Sequence, residues 1–397
     1  MASKKLSDYL SEFPNFLALF IYSFFVGAIS PILLDIGTFL NADPQDVNTA
    51  TSFFMVGTVL GILLTVLTNK YFKKSFSVLG SYILLIPVIV FLSFVKTLII
   101  FQILYGLGGL FLGITWIQSN NRMVEGRVKN KDSVVNLGHA FFALGALISP
   151  FISSYLLEST GEWRHIYYVI LGMVSVAIIL YVLVLKTEKV KIKILEKTIH
   201  PKKAFSRGKT VFLVLTAAML VFNMISQTII FSWSPTFFRI MKAFSIYEAG
   251  LILSVFWIGV MVGRLLISFL AYKVNTDIIL MGLCIITIFS IMVSVFSNSK
   301  ATLFIGIGST GLGFSGVVPL AISTGTSIFK KRKDTVLVIL FSLGVLGNAA
   351  GPYIARVFAD KDLNLSILIA AIIVFISLIF VITRAVSKKY IPDIVEQ

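Results

Sequence analysis

The sequence Gly57-Thr-Val-Leu-Gly61 has a counterpart, Gly259-Val-Met-Val-Gly263, placed 202 residues further along the chain. Other glycines and one proline return at the same offset: Gly80 as Gly282, Gly106 as Gly308, Gly109 as Gly311, Gly145 as Gly347 and Pro150 as Pro352. Each repeated unit is about half of the 397-residue chain, which is too long for a solenoid repeat. The offset therefore predicts two similar halves produced by duplication, of the kind that move against each other around a central site.

Glycine is most of what this duplication has kept. Between 57–80 and 259–282 only five of 24 positions are identical, and three of those are glycine. Glycines four residues apart let two helix backbones approach closely. Two interpretations stay open, namely static packing of helices or a packed seam that rearranges when the halves move.

The composition is that of a membrane protein. Hydrophobic residues make up 57% of the chain and charged residues 13%, which excludes an ordinary soluble globular protein. Apolar runs of about 20 residues are long enough to cross a bilayer as helices. The twelve predicted spans are 14–40, 48–68, 76–95, 98–121, 133–157, 165–186, 210–238, 246–272, 277–297, 301–329, 334–358 and 364–385. Because lipid offers no partner to free backbone groups, we predict an all-α membrane protein with two pseudo-symmetric six-helix bundles.

The net charge of +16 follows from membrane topology. Of the 34 Lys and Arg, 26 fall at the termini or in the connections on one side of the predicted spans. The positive-inside rule then places both termini in the cytoplasm, in a multi-pass protein of the cytoplasmic membrane. This distribution argues against nucleic acid as a partner and for attraction to anionic lipid head groups.

One long polar stretch, 186–209, divides the chain near its middle. It carries nine Lys or Arg and two acids, Glu188 and Glu196. We predict an N-terminal bundle at 1–185, a basic cytoplasmic linker at 186–209 and a C-terminal bundle at 210–397. We expect the protein to be a monomer.

Few ionisable side chains fall inside the predicted spans, where a charge is costly and usually functional. Asp35, near the outer end of span 1, is a candidate for proton coupling, or an acid already at the water interface. His139 in span 5 is a candidate for solute binding or proton relay, because histidine titrates near neutral pH. The alternative for His139 is a structural hydrogen bond. Arg264 in span 8 is expected to have a gating or structural role.

Amide and aromatic side chains are the other candidates for solute binding. Asn223 and Gln227 are four residues apart in span 7 and therefore share a helix face, as do Trp116 and Asn120 in span 4. Amides suit the hydroxyls of a neutral polar solute, and indole rings suit the apolar faces of sugars. The remaining candidates are Trp233, Trp257 and Asn348. For the amides the alternative is interhelical hydrogen bonding, and for the tryptophans it is packing or an interfacial position.

The sequence contains no pattern that indicates an enzyme or a cofactor. It lacks the glycine-rich phosphate loop of ATP-driven proteins. Its three histidines and single Cys284 are scattered, so no metal site and no disulfide within the chain are expected.

The twelve spans, the central basic linker and the connection Thr65-Val-Leu-Thr-Asn-Lys-Tyr-Phe-Lys-Lys74 together resemble the major facilitator superfamily. The connection is similar to the family's G-x-x-x-D-R-x-G-R-R signature, with Asn69 in place of the acid. The resemblance implies a gating role for Lys70, Lys73 and Lys74. It also implies transport by alternating access.

Further motifs resemble the branch that includes fucose permease and its sugar-transporter relatives. Asn136-Leu-Gly-His-Ala-Phe-Phe-Ala-Leu-Gly-Ala146 followed by Pro150 is similar to that branch's N-L-x-H-x-F-F-x-L-G-A…P pattern. Asn120 with Glu125 resembles the end of its span 4, and Trp233-Ser-Pro-Thr-Phe237 resembles its W-x-P-x-Y. Glu125 is thereby a candidate gating residue.

Two positions depart from the branch. Trp116 and Gln227 stand where many of its members carry acids, so coupling to protons is open. Arg122, next to the end of span 4, is expected to face the loop with Glu125.

The sequence thus predicts a secondary active or facilitative transporter for a small polar solute, most simply a sugar, driven either by protons or by the solute gradient alone. An efflux antiporter or flippase for an amphipathic compound or lipid is the alternative. A non-transporting sensor or scaffold that has kept the fold is a third, from a different class.

Overall fold

The computed structural model describes residues 11–69, 71–125, 131–187, 206–271, 273–329 and 332–388. Within these ranges the chain is helical and contains no strand. The helices are α1 Phe13–Leu40, α2 Pro44–Thr68, α3 Lys74–Leu92, α4 Leu98–Glu125, α5 Lys131–Thr160, α6 His165–Thr187, α7 Arg207–Met241, α8 Ile246–Leu270, α9 Thr276–Phe296, α10 Lys300–Ile328, α11 Lys333–Ala359 and α12 Leu363–Lys388. Each predicted span corresponds to one of these helices, which confirms the all-α membrane fold.

Eleven helices in the described part are long and apolar enough to cross a membrane. The twelfth helix, α11, is not among these eleven. It has 27 residues and coincides with the predicted span 334–358. Several side chains in its first turns lie outside the described set. The described helices therefore supply eleven spans by length and composition, and α11 supplies a twelfth helix in the predicted place.

A break near the end of α1 positions Asp35. Pro31 has no N–H to donate, and Ser30–Ile32 adopts a 3₁₀ turn between two α-helical segments. Asp35 falls in the first turn of the second segment, Leu33–Leu40, and is half-buried. That segment ends at Asn41, whose φ of 50° is in the left-handed region that asparagine tolerates better than most residues.

The chain divides into two compact units. One unit contains α1 to α6 together with Phe244–Ser254, which includes the first turns of α8. The other contains α7, the rest of α8 and α9 to α12. Residues 188–205 of the predicted linker lie outside the described residues.

The repeated glycines make equivalent contacts in the two units. A Cβ atom on Gly57 would overlap the carbonyl oxygen of Gly106, which brings α2 against α4. A Cβ atom on Gly259 would overlap the carbonyl oxygen of Gly308 in the same way, which brings α8 against α10. Gly61 and Gly263 repeat the pattern one turn later. These contacts join helices of the same half, so they support the helix-packing interpretation of the repeat.

A second pair of contacts joins the first and fifth helices of each half. A Cβ atom on Gly145 in α5 would lie 2.5 Å from the carbonyl oxygen of Phe20 in α1. On Gly347 in α11 it would lie 2.8 Å from the carbonyl oxygen of Val221 in α7. The repeat therefore records two backbone-to-backbone helix contacts in each half.

Candidate functional site

One face of α7 carries polar side chains that have no partner in the described part of the chain. We call Asn223, Gln227 and Ser234 the Asn223 face, because their spacings of four and seven residues place them on one side of a helix. Both polar atoms of the Asn223 amide are buried without a hydrogen bond to any described residue, and so is Ser234 Oγ. Gln227, between them, is half-buried. Ser234 was not among the predicted residues, although its spacing from Gln227 points to it.

Other polar side chains of α7 are satisfied by neighbouring helices. Ser226 Oγ donates to the carbonyl oxygen of Ala370 in α12 at 2.9 Å. Thr228 Oγ1 donates to Asn348 Oδ1 in α11 at 2.6 Å. The Asn223 face therefore differs from Ser226 and Thr228 in having no hydrogen-bond partner among the described residues.

Two predicted solute-binding residues take part in these interhelical bonds. Trp233 is fully buried, and its Nε1 donates to the carbonyl oxygen of Pro352 at 3.2 Å. Asn348 is half-buried and accepts the bond from Thr228. Both side chains thus hold α7 against α11, and their contact with solute stays a prediction.

Trp257 of α8 lies beside the same side of α7. Its ring packs edge-on against Phe231, with centroids 6.0 Å apart and an interplanar angle of 76°. Phe231 follows Gln227 by four residues, so the two side chains neighbour each other on α7. The second half therefore brings the predicted residues Gln227 and Trp257 to one region.

In the first half, Trp116 belongs to an aromatic cluster. Its ring stacks on Tyr22 at 5.8 Å and 29°, and Tyr22 also stacks on Phe142 at 6.0 Å. Asn120 Nδ2 donates to the carbonyl oxygen of Trp116 at 2.8 Å. Trp116 and Asn120 are thus both engaged inside the first half, and their roles in binding solute stay predictions. His139, in α5, is half-buried.

The predicted gating residues are described in part. Lys73 precedes the first residue of α3, and Lys74 begins that helix, and both are half-buried. Lys70 lies outside the described residues, as does the side chain of Glu125. Arg264 is exposed on α8, and no hydrogen bond or ion pair joins it to the described residues.

Arg122 does not face the loop as the sequence suggested. It is central to a polar group that we call the Arg122 cluster, formed by Glu12, Asn15, Ser75, Ser119, Arg122 and Tyr181. Arg122 Nε donates to Asn15 Oδ1 at 3.2 Å, and its Nη1 donates to Ser75 Oγ. Tyr181 OH donates to the same Asn15 oxygen at 2.9 Å. The expectation was wrong because the last turn of α4 packs between α1, α3 and α6.

The carboxyl of Glu12 completes this cluster at the start of α1. It accepts a hydrogen bond from Asn15 Nδ2 at 2.7 Å and is 8% exposed. Burial raises the pKa of Glu12, and the bond from Asn15 and the charge of Arg122 oppose that rise. The result is a titratable group tied to the first helix of the first half.

The second half has its own charged group where α9 begins. We call it the Asp277 cluster, formed by Asp277, Arg384, Lys388, Thr216 and Phe212. Asp277 pairs with Arg384, and its other oxygen lies 2.6 Å from Lys388 Nζ. Arg384 and Lys388 also lie over the ring of Phe212, at 5.5 and 5.6 Å. The sequence did not point to this cluster, since Asp277 is 107 residues from Arg384 and 111 residues from Lys388.

Comparison with known proteins agrees with this architecture. A sequence model described as the Major Facilitator Superfamily matches residues 16–352. A TsgA homologue of Buchnera aphidicola subsp. Baizongia pistaciae is 22% identical over 358 residues, covering 88% of this chain and 89% of its own. The TsgA protein of Escherichia coli is 24% identical over 322 residues, covering 80% and 79%.

Solved structures share the fold at low sequence identity. A D-xylose–proton symporter superposes with a TM-score of 0.76 at 13% identity, covering 98% of this chain and 99% of its own. The nucleoside transporter NupG superposes with a TM-score of 0.74 at 10% identity, covering 95% and 99%. Because the family sequence model spans both halves of the glycine repeat, this chain belongs to the Major Facilitator Superfamily, a family of secondary transporters of small solutes.

Proposed function

We propose that this protein moves a small polar solute of the sugar class across the cytoplasmic membrane by alternating access. The observation that carries the proposal is the Asn223 amide, which is buried in the middle of a spanning helix with neither polar atom bonded in the described part of the chain. A buried polar group without a partner costs about 1–3 kcal/mol. A hydroxyl-bearing solute offsets that cost, because each hydroxyl both donates and accepts.

The surroundings of Asn223 suit such a solute. Gln227 adds a second amide one turn away, and Trp257 offers an indole ring beside Phe231. Pockets for small molecules combine apolar walls with a few polar groups that fix orientation. The D-xylose–proton symporter and the nucleoside transporter share this fold, and both are named for polyhydroxylated solutes.

Coupling to protons would rest on Asp35 and His139. The positions that often carry acids in the resembling branch hold Trp116 and Gln227, which do not titrate. Both candidate groups lie in spanning helices, α1 and α5, and both are half-buried. We propose both termini in the cytoplasm, lipid head groups as surface partners of the basic connections, and a monomer as the working unit.

Uptake by purified protein in liposomes tests the proposal. Radiolabelled sugars are offered singly, with and without a pH gradient, and Asn223→Leu is compared with the wild type. Losing one or two hydrogen bonds to solute should raise KM about 10-fold. Asn364→Leu, an amide at the first turn of α12, is the matched control and should leave KM unchanged. Uptake of no sugar, sugar acid or sugar phosphate under any gradient would overturn the proposal.

The pH gradient arm addresses coupling. If protons drive uptake, accumulation should require an inward gradient and be lost in Asp35→Asn or in His139→Gln. Uptake that is insensitive to the gradient and unchanged in both variants would show movement down the solute gradient alone.

A further inference from the structure

Arg264 is a charged side chain inside a membrane-spanning helix that no described residue neutralises. It lies six residues before the end of α8, about 9 Å along the helix axis. Its side chain is exposed, and no hydrogen bond or ion pair joins it to the described residues. A charge at that depth is expensive in lipid and normally faces a bundle interior or a water-filled cavity.

Four of the exposed apolar side chains of α8 lie on one face of the helix. Ile258, Val262, Leu265 and Phe269 recur at spacings of four, three and four residues and are 43%, 41%, 59% and 72% exposed. This is one helical stripe of large apolar groups, as expected for contact with acyl chains. Arg264 is not on this stripe, since its neighbour Leu265 is, and successive residues point about 100° apart.

A second face of α8 is closed by α10. Gly259 and Gly263 lie one residue beyond Ile258 and Val262, and both press against α10 so tightly that a Cβ atom would overlap it. The face that remains lies one residue before the lipid stripe at each turn. It carries Trp257, Met261 and Arg264, at spacings of four and three residues.

The contacts of Trp257 show which part of the protein this third face lies against. Its ring packs against Phe231 of α7, the side chain one turn from Gln227. Arg264 is seven residues further along α8, about 10 Å along the axis, on the same side. Long helical side chains lean back toward the N-terminus of their helix, so the guanidinium of Arg264 extends toward Trp257.

The described acids of the second half are committed elsewhere or remote. Asp277 is held by Arg384 and Lys388. Glu248 closes the first turn of α8, where its carboxylate accepts the N–H of Ser245 at 2.9 Å. Arg264 and Glu248 are 16 residues apart on one helix, which exceeds the reach of their side chains.

We propose that Arg264 binds an anionic group of the transported solute, a carboxylate or a phosphate. The solute is then an acid or phosphate ester of the sugar class, in place of the neutral sugar expected from sequence. A guanidinium binds either anion with two parallel hydrogen bonds. The inference rests on the proposed function, since it assigns the Asn223 face to the hydroxyls of the same solute.

Uptake of matched probes tests this assignment. The full-length protein in liposomes is offered glucose, gluconate, glucuronate and glucose 6-phosphate, with Arg264→Gln and Arg264→Lys beside the wild type. We expect uptake of at least one anionic probe, with a KM about 10- to 100-fold higher in Arg264→Gln, from the loss of charge-assisted hydrogen bonds. The KM of Arg264→Lys for that probe should lie between the values of the wild type and Arg264→Gln. The carboxylate and phosphate probes separate the two anion chemistries.

Controls separate binding from folding and from general charge. Lys273→Gln removes an exposed positive charge three residues beyond the end of α8 and should leave KM for the anion unchanged. The melting temperature of each variant in detergent shows whether it is folded. Equal loss of glucose and anion uptake in Arg264→Gln would mean a structural role and would overturn the proposal.

The outcome also separates this inference from the function on which it rests. Uptake of glucose with no uptake of any anionic probe overturns the anion site and leaves the sugar-class transporter standing. Uptake of an anionic probe that is weakened by Arg264→Gln but not by Lys273→Gln supports both. Uptake of none of the four probes by folded wild-type protein overturns both.

Discussion

The Arg122 cluster and the Asp277 cluster occupy equivalent places in the two halves but use opposite chemistry. Ser75 and Asp277 are related by the 202-residue offset, and each is the second residue of the third helix of its half. At Ser75 a single guanidinium from α4 is surrounded by neutral acceptors and one carboxyl. At Asp277 a single carboxylate is held by two cations from α12.

The difference shows what the duplicated fold requires at this place. In both halves the third helix is tied through polar side chains to the first and the last helix, by way of Asn15 and Tyr181 in one and Thr216 and Arg384 in the other. The position of the charge, its sign and the helix that supplies it are free to change. What is kept is that each buried charge has a partner nearby.

The largest expected effect comes from breaking the ion pairs of the second half. Asp277→Asn leaves the fully buried Arg384 without its counter-charge, which should destabilise the protein by about 3–5 kcal/mol. Thermal unfolding in detergent measures the loss. Asp360→Asn, an exposed acid at the end of α11, should unfold like the wild type. Equal melting temperatures for the two variants would mean that the Asp277 cluster adds nothing.

Removing the charge of the first half should cost less. Arg122→Leu removes the donors to Asn15 and Ser75. The side chains left behind are neutral, except for the carboxyl of Glu12, whose pKa is raised by burial. Hydrogen bonds to a charged group contribute about 1.5–3 kcal/mol. The same unfolding measurement should therefore rank Arg122→Leu between the wild type and Asp277→Asn. The reverse ranking would contradict the comparison.

A single hydroxyl sharpens the comparison further. Tyr181→Phe removes the donor to Asn15 Oδ1 at 2.9 Å, and a neutral hydrogen bond contributes about 0.5–1.5 kcal/mol. Tyr167 is equally buried, but its hydroxyl has no hydrogen-bond partner in the described part of the chain. Tyr167→Phe should therefore leave the melting temperature unchanged or raise it, whereas Tyr181→Phe lowers it. Equal shifts would count against a role for the Tyr181 bond.

The smallest effect is expected for Glu12 and depends on pH. Because burial raises its pKa, the folded state keeps the proton that the unfolded chain releases above the ordinary value of 4.5. Stability should fall as pH rises from 4.5 through the raised pKa, and Glu12→Gln should not show that fall. Below 4.5 the two proteins should melt alike.

The pH series has its own control. Glu158 is an exposed acid in the last turns of α5, so Glu158→Gln should follow the wild-type curve. Parallel curves for the wild type and Glu12→Gln over the whole pH range would contradict the burial of the Glu12 carboxyl.

The sequence predicted the helices well because the length of an apolar run is set by the thickness of the bilayer. It could not predict the two clusters. Asp277 and Arg384 lie 107 residues apart, and whether they meet depends on the rotation of α9 and α12 about their own axes. Arg122 looked like a loop residue because hydropathy places the end of a span but not what packs around its last turn.

The candidate site was predicted in part for the same reason. Helical spacing alone placed Asn223 and Gln227 on one face. It could not show that Trp233 donates to Pro352 or that Asn348 accepts from Thr228, since those bonds depend on how α7 docks on α11. Ser234 had a detectable signal, its seven-residue spacing from Gln227.

The glycine contacts explain why an old duplication can still be detected in the sequence. Where Gly57 meets Gly106 and Gly259 meets Gly308, the touching atoms belong to the main chain, so the contact is indifferent to every side chain around it. Such a contact requires only that the residue at one position has no Cβ atom, which a glycine codon provides. Two diverging copies could replace almost every neighbouring residue independently, and the ancestral helix pair would still be inherited through a few glycine codons.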